Sequence, residues 1–151
     1  ILMFTCNGIE VNGSYKTRRV LAEDVVEFCI GELMPRMKTL WINVTLKSMK
    51  GLDSTGFCWE CDNNREFFIE IKQALSEEEF IETVCHEMVH VWQGATKKMA
   101  EKSNKRLWLC KDGKYRNYTN CTYMRQPWEV EAYKLQGVLL KKFKESSYYV
   151  K

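Results

Sequence analysis

Ser76-Glu-Glu-Glu-Phe-Ile-Glu-Thr-Val-Cys-His-Glu-Met-Val-His-Val-Trp-Gln93 is the stretch whose reading decides the fold. Ser76 followed three residues later by Glu79 forms a capping box, in which the hydroxyl accepts the amide proton of the third residue and the glutamate reaches back to the serine amide. Three carboxylates in this first turn complement the positive end of the helix dipole. Phe80, Ile81, Val84, Cys85, Met88, Val91, Trp92 and Ala95 then recur at helical spacing. The spacing predicts an amphipathic helix that starts after Ser76, dissolves into polar residues after Met99 and packs its apolar side on a sheet.

On that helix stands His86-Glu87-Met88-Val89-His90. Residues four apart lie one above the other on a helix, so both imidazoles can face one cation at about 2 Å from each ring nitrogen. The chain has only two histidines, and a random scatter reaches this spacing, with Glu after the first, roughly once in a thousand. The pattern is a half-site for Zn2+. Glu87 beside it is placed as the general base, acting on a water whose pKa the metal lowers toward about 7.

Two histidines leave such an ion under-coordinated, and the extended HExxHxxGxxH pattern fails because Gln93 and Thr96 stand at its Gly and third His. A carboxylate must complete the set. Pro127-Trp-Glu-Val-Glu-Ala-Tyr133 offers Glu131 and Glu129 on a predicted last helix, and residues two apart point in different directions, so one of them faces the metal. Glu131 is preferred because its neighbour Ala132 lets the helix approach closely; Glu129 is the alternative. Tyr133, Tyr123 and Arg125, near this segment, are the candidates for stabilising the negative charge that attack by such a water builds on an oxygen. Gln93 either bonds a ligand or caps the helix face.

Working outward, Val20, Leu21, Val25, Phe28, Cys29 and Leu33 predict a helix from about Lys16 to Met34, stopped by Pro35. Leu40–Leu46 and Arg65–Lys72 alternate and are rich in aromatic and β-branched residues, and Gly56–Cys61 reads as a further strand between them. Ile1–Val11, ending at the turn Asn12-Gly13, predicts a strand or hairpin. Lys105–Tyr123 reads as a loop or hairpin, and Pro127 opens a helix reaching about Lys144. The expected fold is α+β: a small twisted β-sheet packed on the HExxH helix, with an N-terminal helix and a C-terminal helix carrying the third ligand, in one domain over residues 1–151.

Composition fits that unit. At 151 residues, 45% apolar and 28% charged, the chain has the profile of a folded globular domain rather than a disordered or fibrous one. Its longest apolar runs fall far short of the roughly 18 residues of a membrane span, and Ile1–Phe4 lacks the basic flank of a secretory signal. A net charge of +3 is too weak a field to name nucleic acid as a partner. Seven irregularly spaced cysteines read as mostly reduced thiols of an intracellular chain. The sequons at Asn43, Asn117 and Asn120 are short enough to arise by chance. A four-cysteine zinc site from Cys58, Cys61, Cys110 and Cys121 is the weaker metal pattern, because the second pair is too widely spaced and positions three apart on a strand face opposite ways.

Residues Ser76–Gln93, with Arg65-Glu-Phe-Phe-Ile-Glu-Ile before them and Trp108 and Pro127-Trp-Glu-Val-Glu-Ala-Tyr133 after, resemble the small SprT-like metallopeptidases found in bacteriophages. The likeness spans about residues 56–140. It implies a minimal gluzincin or SprT-type (zincin-like) fold, His86 and His90 as zinc ligands, Glu87 as catalytic base, a glutamate of PWExEAY as third ligand, and a protein or peptide substrate, in the host cytoplasm if the protein is viral. SprT proper is expected to use a third histidine, which this chain lacks, so cleavage of DNA-attached proteins does not carry over. The expectation is a zinc metallopeptidase; its rival is a zinc-containing regulatory or protein-binding module without catalysis.

Overall fold

Alternation along two strands sets how the layers stack. In the computed structural model, which describes residues 7–61 and 63–149, Ile42, Val44 and Leu46 of strand β2 (Trp41–Lys47) and Phe67, Ile69 and Ile71 of strand β4 (Glu66–Lys72) all turn to one side and are buried. Their neighbours on the other side are exposed or half-buried. The period of two thus gives the sheet one core face.

That sheet has four strands. Strands β1 (Gly8–Asn12), β2 and β4 run parallel, and β3 (Gly56–Glu60) closes the edge antiparallel to β4, in the order β1-β2-β4-β3. Parallel β1 and β2 need a crossover, and helix α1 (Lys16–Leu33) supplies it, ending just before Pro35. Gly13, at φ +92°, makes the turn into α1; a Cβ there would lie 2.4 Å from the carbonyl oxygen of Leu46. A side chain at that point has no room. The expected strand or hairpin from Ile1 is β1 where the chain is described, and residues 1–6 lie outside the described residues.

Helix α2 (Glu77–Ala95) starts where the capping box places it, with Ser76 Oγ accepting from the Glu79 amide at 3.2 Å. Its Phe80, Ile81, Val84, Cys85 and Met88 are fully buried with Val25, Val26 and Cys29 of α1 and the inner face of the sheet. Each large side chain so removed from water contributes about 1.5–3 kcal/mol. Helix α3 (Pro127–Glu145), with Pro127 in its first turn, lies along α2 through Ala132, Leu139, Leu140 and Phe143. Gln93 reaches Trp128 and Glu78 reaches Lys144, so the two helices run antiparallel.

The stretch after α2 corrects the sequence reading. The helix ends at Ala95, with Thr96 Oγ1 bonded back to the Trp92 carbonyl and Lys97 at φ +61°. Met99, expected as the fading end of the helix, instead opens a second sheet of three antiparallel strands: β5 (Met99–Lys102), β6 (Lys105–Leu109) and β7 (Tyr115–Asn117). Ser103 and Asn104, both at positive φ, form the tight β5–β6 turn. The β6–β7 pair is the hairpin expected within Lys105–Tyr123, whereas β5 is too short and too polar to stand out by alternation. The α+β class holds, with a second small sheet added. Among the described residues no helix is long and apolar enough to cross a membrane, and Cys29, Cys58, Cys85, Cys110 and Cys121 are free thiols.

Candidate metal centre

Antiparallel packing of α2 on α3 brings two stripes of polar side chains together in an otherwise apolar contact. On α2 the stripe is His86, His90 and Gln93; on α3 it is Glu129 and Gln136, either side of the buried Ala132. Glu129 Oε1 lies 3.0 Å from His86 Nε2 and 2.7 Å from His90 Nε2. These three atoms are the one set among the described residues that gathers closely enough to hold a metal ion.

The preferred third ligand, Glu131, is therefore displaced by its alternative. Glu131 turns away from the imidazoles, its carboxylate bonded to Gln93 Nε2 at 3.0 Å and ion-paired to Lys98. Ala132 does permit the close approach expected of it, yet on a helix the residue sharing its face is three before it, Glu129, and not its immediate neighbour. No cysteine joins a metal-binding group among the described residues; the inward-facing Cys58, paired with Ile69, has its thiol pushed up by burial and by Glu87 and Glu60.

The far side of each imidazole is also held. His86 Nδ1 meets Gln136 Oε1 at 2.6 Å, and His90 Nδ1 meets Gln93 Oε1 at 2.9 Å. With both Nδ1 atoms donating, both Nε2 atoms turn toward the Glu129 carboxylate. Lone pairs cannot face one another at this separation without positive charge between them. Burial pulls His90 down, but its bonds to Glu129 and the charge of Glu87 outweigh this and raise it. Burial pushes Glu129 up, but the bonds from His86, His90 and Tyr123 hold it well below the usual carboxylate range. A divalent ion supplies that positive charge. The edge of a tetrahedron with bonds of about 2 Å is roughly 3.3 Å, so a slight opening of the triad accommodates one.

Glu87 points elsewhere. It is 4% exposed, and its Oε2 is buried without a hydrogen-bond partner. Burial raises its pKa, the two histidines opposing this and Glu129 reinforcing it. An unsatisfied buried acceptor costs about 1–3 kcal/mol, so this oxygen marks where a ligand or water belongs. Glu87 lines two cavities, of about 550 Å³ toward His90, Trp59 and Arg106 and about 670 Å³ toward His86, Thr83 and Gln136. The second is bordered by Asp53, Glu79 and Glu82 and, among the described residues, by no lysine or arginine.

Tyr123 borders both cavities; its hydroxyl is 3.3 Å from that of Tyr133 and bonds toward Glu129. Burial and these two partners raise its pKa. The Tyr133 ring packs against His86 at 4.6 Å between centroids. Arg125, the third expected stabiliser, is exposed on the 3₁₀ turn Tyr123–Arg125 and borders neither cavity. It drops out of the site.

Gln136, Gly56 and Lys98 escape the sequence reading. Gln136 stands seven residues after Glu129, two turns along the same face, and that periodicity is the signal for it. Gly56 lets edge strand β3 pass directly over the helix: a Cβ there would lie 2.9 Å from Thr83 Cγ2 and 3.2 Å from Glu87 Cγ. Gly56→Val is expected to lower the unfolding free energy by about 1–3 kcal/mol through overpacking. Gly137→Ala, at a helical position with open space, is expected to raise it by about 0.5–1 kcal/mol. Urea denaturation of both variants checks the contrast.

The chain matches no known protein-family model, no curated protein and no solved structure. What the centre can do is read from its own geometry. A His-His-Glu cluster able to hold a metal ion lies beside a buried carboxylate that lines two cavities.

Proposed function

We propose that the protein is a zinc metallopeptidase of the minimal gluzincin, SprT-like kind, cutting peptide bonds with Glu87 as general base. The observation that carries this reading is a three-donor site beside Glu87, whose Oε2 is buried without a partner and whose side chain lines two cavities. Two imidazoles and a carboxylate are the donor set of catalytic zinc sites that keep a fourth position for water or substrate. A structural site is closed by a fourth protein ligand, and among the described residues none joins the three.

A bound zinc ion supplies Lewis-acid charge and lowers the pKa of a coordinated water toward about 7. The remaining chemistry belongs to side chains. Glu87 Oε2 takes the proton of the attacking water, and its raised pKa keeps that proton available for the departing amine. Tyr123, which borders both cavities and whose hydroxyl bonds toward Glu129, donates to the oxygen that gains charge on attack. Tyr133 steadies the His86 ring and the Tyr123 hydroxyl. An extended peptide fits the two cavities better than a compact small molecule, since they run past both histidines.

The test is metal content together with proteolysis. Purified protein is expected to carry one zinc per chain and to cleave denatured casein; 1,10-phenanthroline is expected to stop cleavage and added Zn2+ to restore it. Zinc bound at one per chain with no cleavage of any unfolded protein would favour the non-catalytic binding module instead.

A further inference from the structure

Glu131 is not idle, although it does not face the imidazoles. Its Oε1 accepts from Gln93 Nε2 at 3.0 Å, and the same amide nitrogen donates to the Trp128 carbonyl at 3.0 Å. A carboxylate and a backbone carbonyl accept hydrogen bonds and cannot donate them. Both Gln93 N–H groups are thereby committed, and the amide has one orientation. Its Oε1 must face His90, whose Nδ1 lies 2.9 Å away. An amide oxygen accepts only, so His90 Nδ1 must carry a proton, which leaves Nε2 to point at Glu129.

The chain of constraint continues outward. Glu131 Oε2 is paired with Lys98, whose ammonium sits over the rings of Trp92, at 4.9 Å, and Trp108, at 5.1 Å. Trp92 is on α2 and Trp108 on β6, so the second sheet helps to hold this cation. Gln93 itself is fully buried, where a mis-turned amide would leave three polar groups without partners.

We infer that Lys98, Glu131 and Gln93 are positioning residues, a relay that runs from the second sheet to His90 and fixes which ring nitrogen is offered to the cation. The inference rests on the metal reading above for its purpose, but its geometry is independent of any ion. Outer hydrogen-bond partners of ligand histidines typically change metal affinity 10–100-fold, and here the partner is itself oriented by a second one.

The experiment follows the His90 Nδ1–H proton by NMR, without metal and with Zn2+, alongside Zn2+ affinity by chelator competition and thermal unfolding to confirm folding. In the wild-type protein a slowly exchanging Nδ1–H is expected in both states. Glu131→Leu frees the Gln93 amide to turn, so faster exchange and an affinity loss of about 10–100-fold are expected. Glu131→Gln retains an acceptor for Gln93 and is expected to stay within a few-fold of wild type, as a hydrogen-bonding role requires. Wild-type affinity and exchange in Glu131→Leu would overturn the relay. So would equal losses in Glu131→Gln and Glu131→Leu, which would make Glu131 a ligand. A protected Nδ1–H in a protein that binds no Zn2+ would leave the relay standing and remove the metal reading instead.

Discussion

Glu87→Gln is expected to keep zinc bound at one per chain while lowering peptide hydrolysis by about 10²–10⁴-fold, the range that a positioned general base contributes. The substitution preserves the shape of a side chain that is 4% exposed and packed under Gly56, so the fold should persist. It also removes a buried carboxylate whose ionised form is costly there, which explains why its pKa is raised. The variant is therefore expected to unfold at a temperature equal to or above that of the parent. Loss of turnover without loss of stability or metal is the signature of a base. Chelator titration, thermal unfolding and casein cleavage on the same samples read all three; full turnover in Glu87→Gln would reassign the proton to another group.

Most of what places Glu87 and the histidines is written locally in the chain. The capping box sets where α2 begins, the period of 3.6 sets which side faces the sheet, and Pro35 and Pro127 mark a helix end and a helix start. The period of two in β2 and β4 sets the core face. What is not local is less legible. The second sheet depends on Lys97, Ser103 and Asn104 adopting positive φ, and neither lysine nor serine announces this in the way Asn-Gly does at the end of β1. The choice between Glu129 and Glu131 is instead a matter of phase. Buried Ala132 fixes the inward face of α3, and counting three back gives Glu129 while four on gives Gln136; adjacency to Ala132 points to the wrong carboxylate. The amides that hold the imidazoles come from both helices, and only their packing pairs Gln136 with His86.

That phase gives the second large effect. Glu129→Ala is expected to weaken Zn2+ binding by more than about 100-fold, beyond the 10–100-fold range of outer partners, because it removes one of three converging donor atoms and with it the negative charge between two imidazoles. Glu131→Ala is expected to stay inside that range, since its loss reaches His90 only through Gln93. Folding responds to Glu129→Ala in the same sense when no metal is present. Glu129 then holds the two histidines by hydrogen bonds, and its strongly lowered pKa shows that the folded state favours the carboxylate. Stability from that shift is present above the unfolded carboxylate pKa and is lost as pH falls through the folded one, so metal-free parent protein is expected to outlast metal-free Glu129→Ala at neutral pH and to lose that advantage in strong acid. Competition titrations with a zinc chelator and urea melts at two pH values measure both effects. Equal zinc affinity in Glu129→Ala and the parent would mean that the imidazoles bind their ion without α3, and the antiparallel contact of α2 and α3 would then serve the core alone.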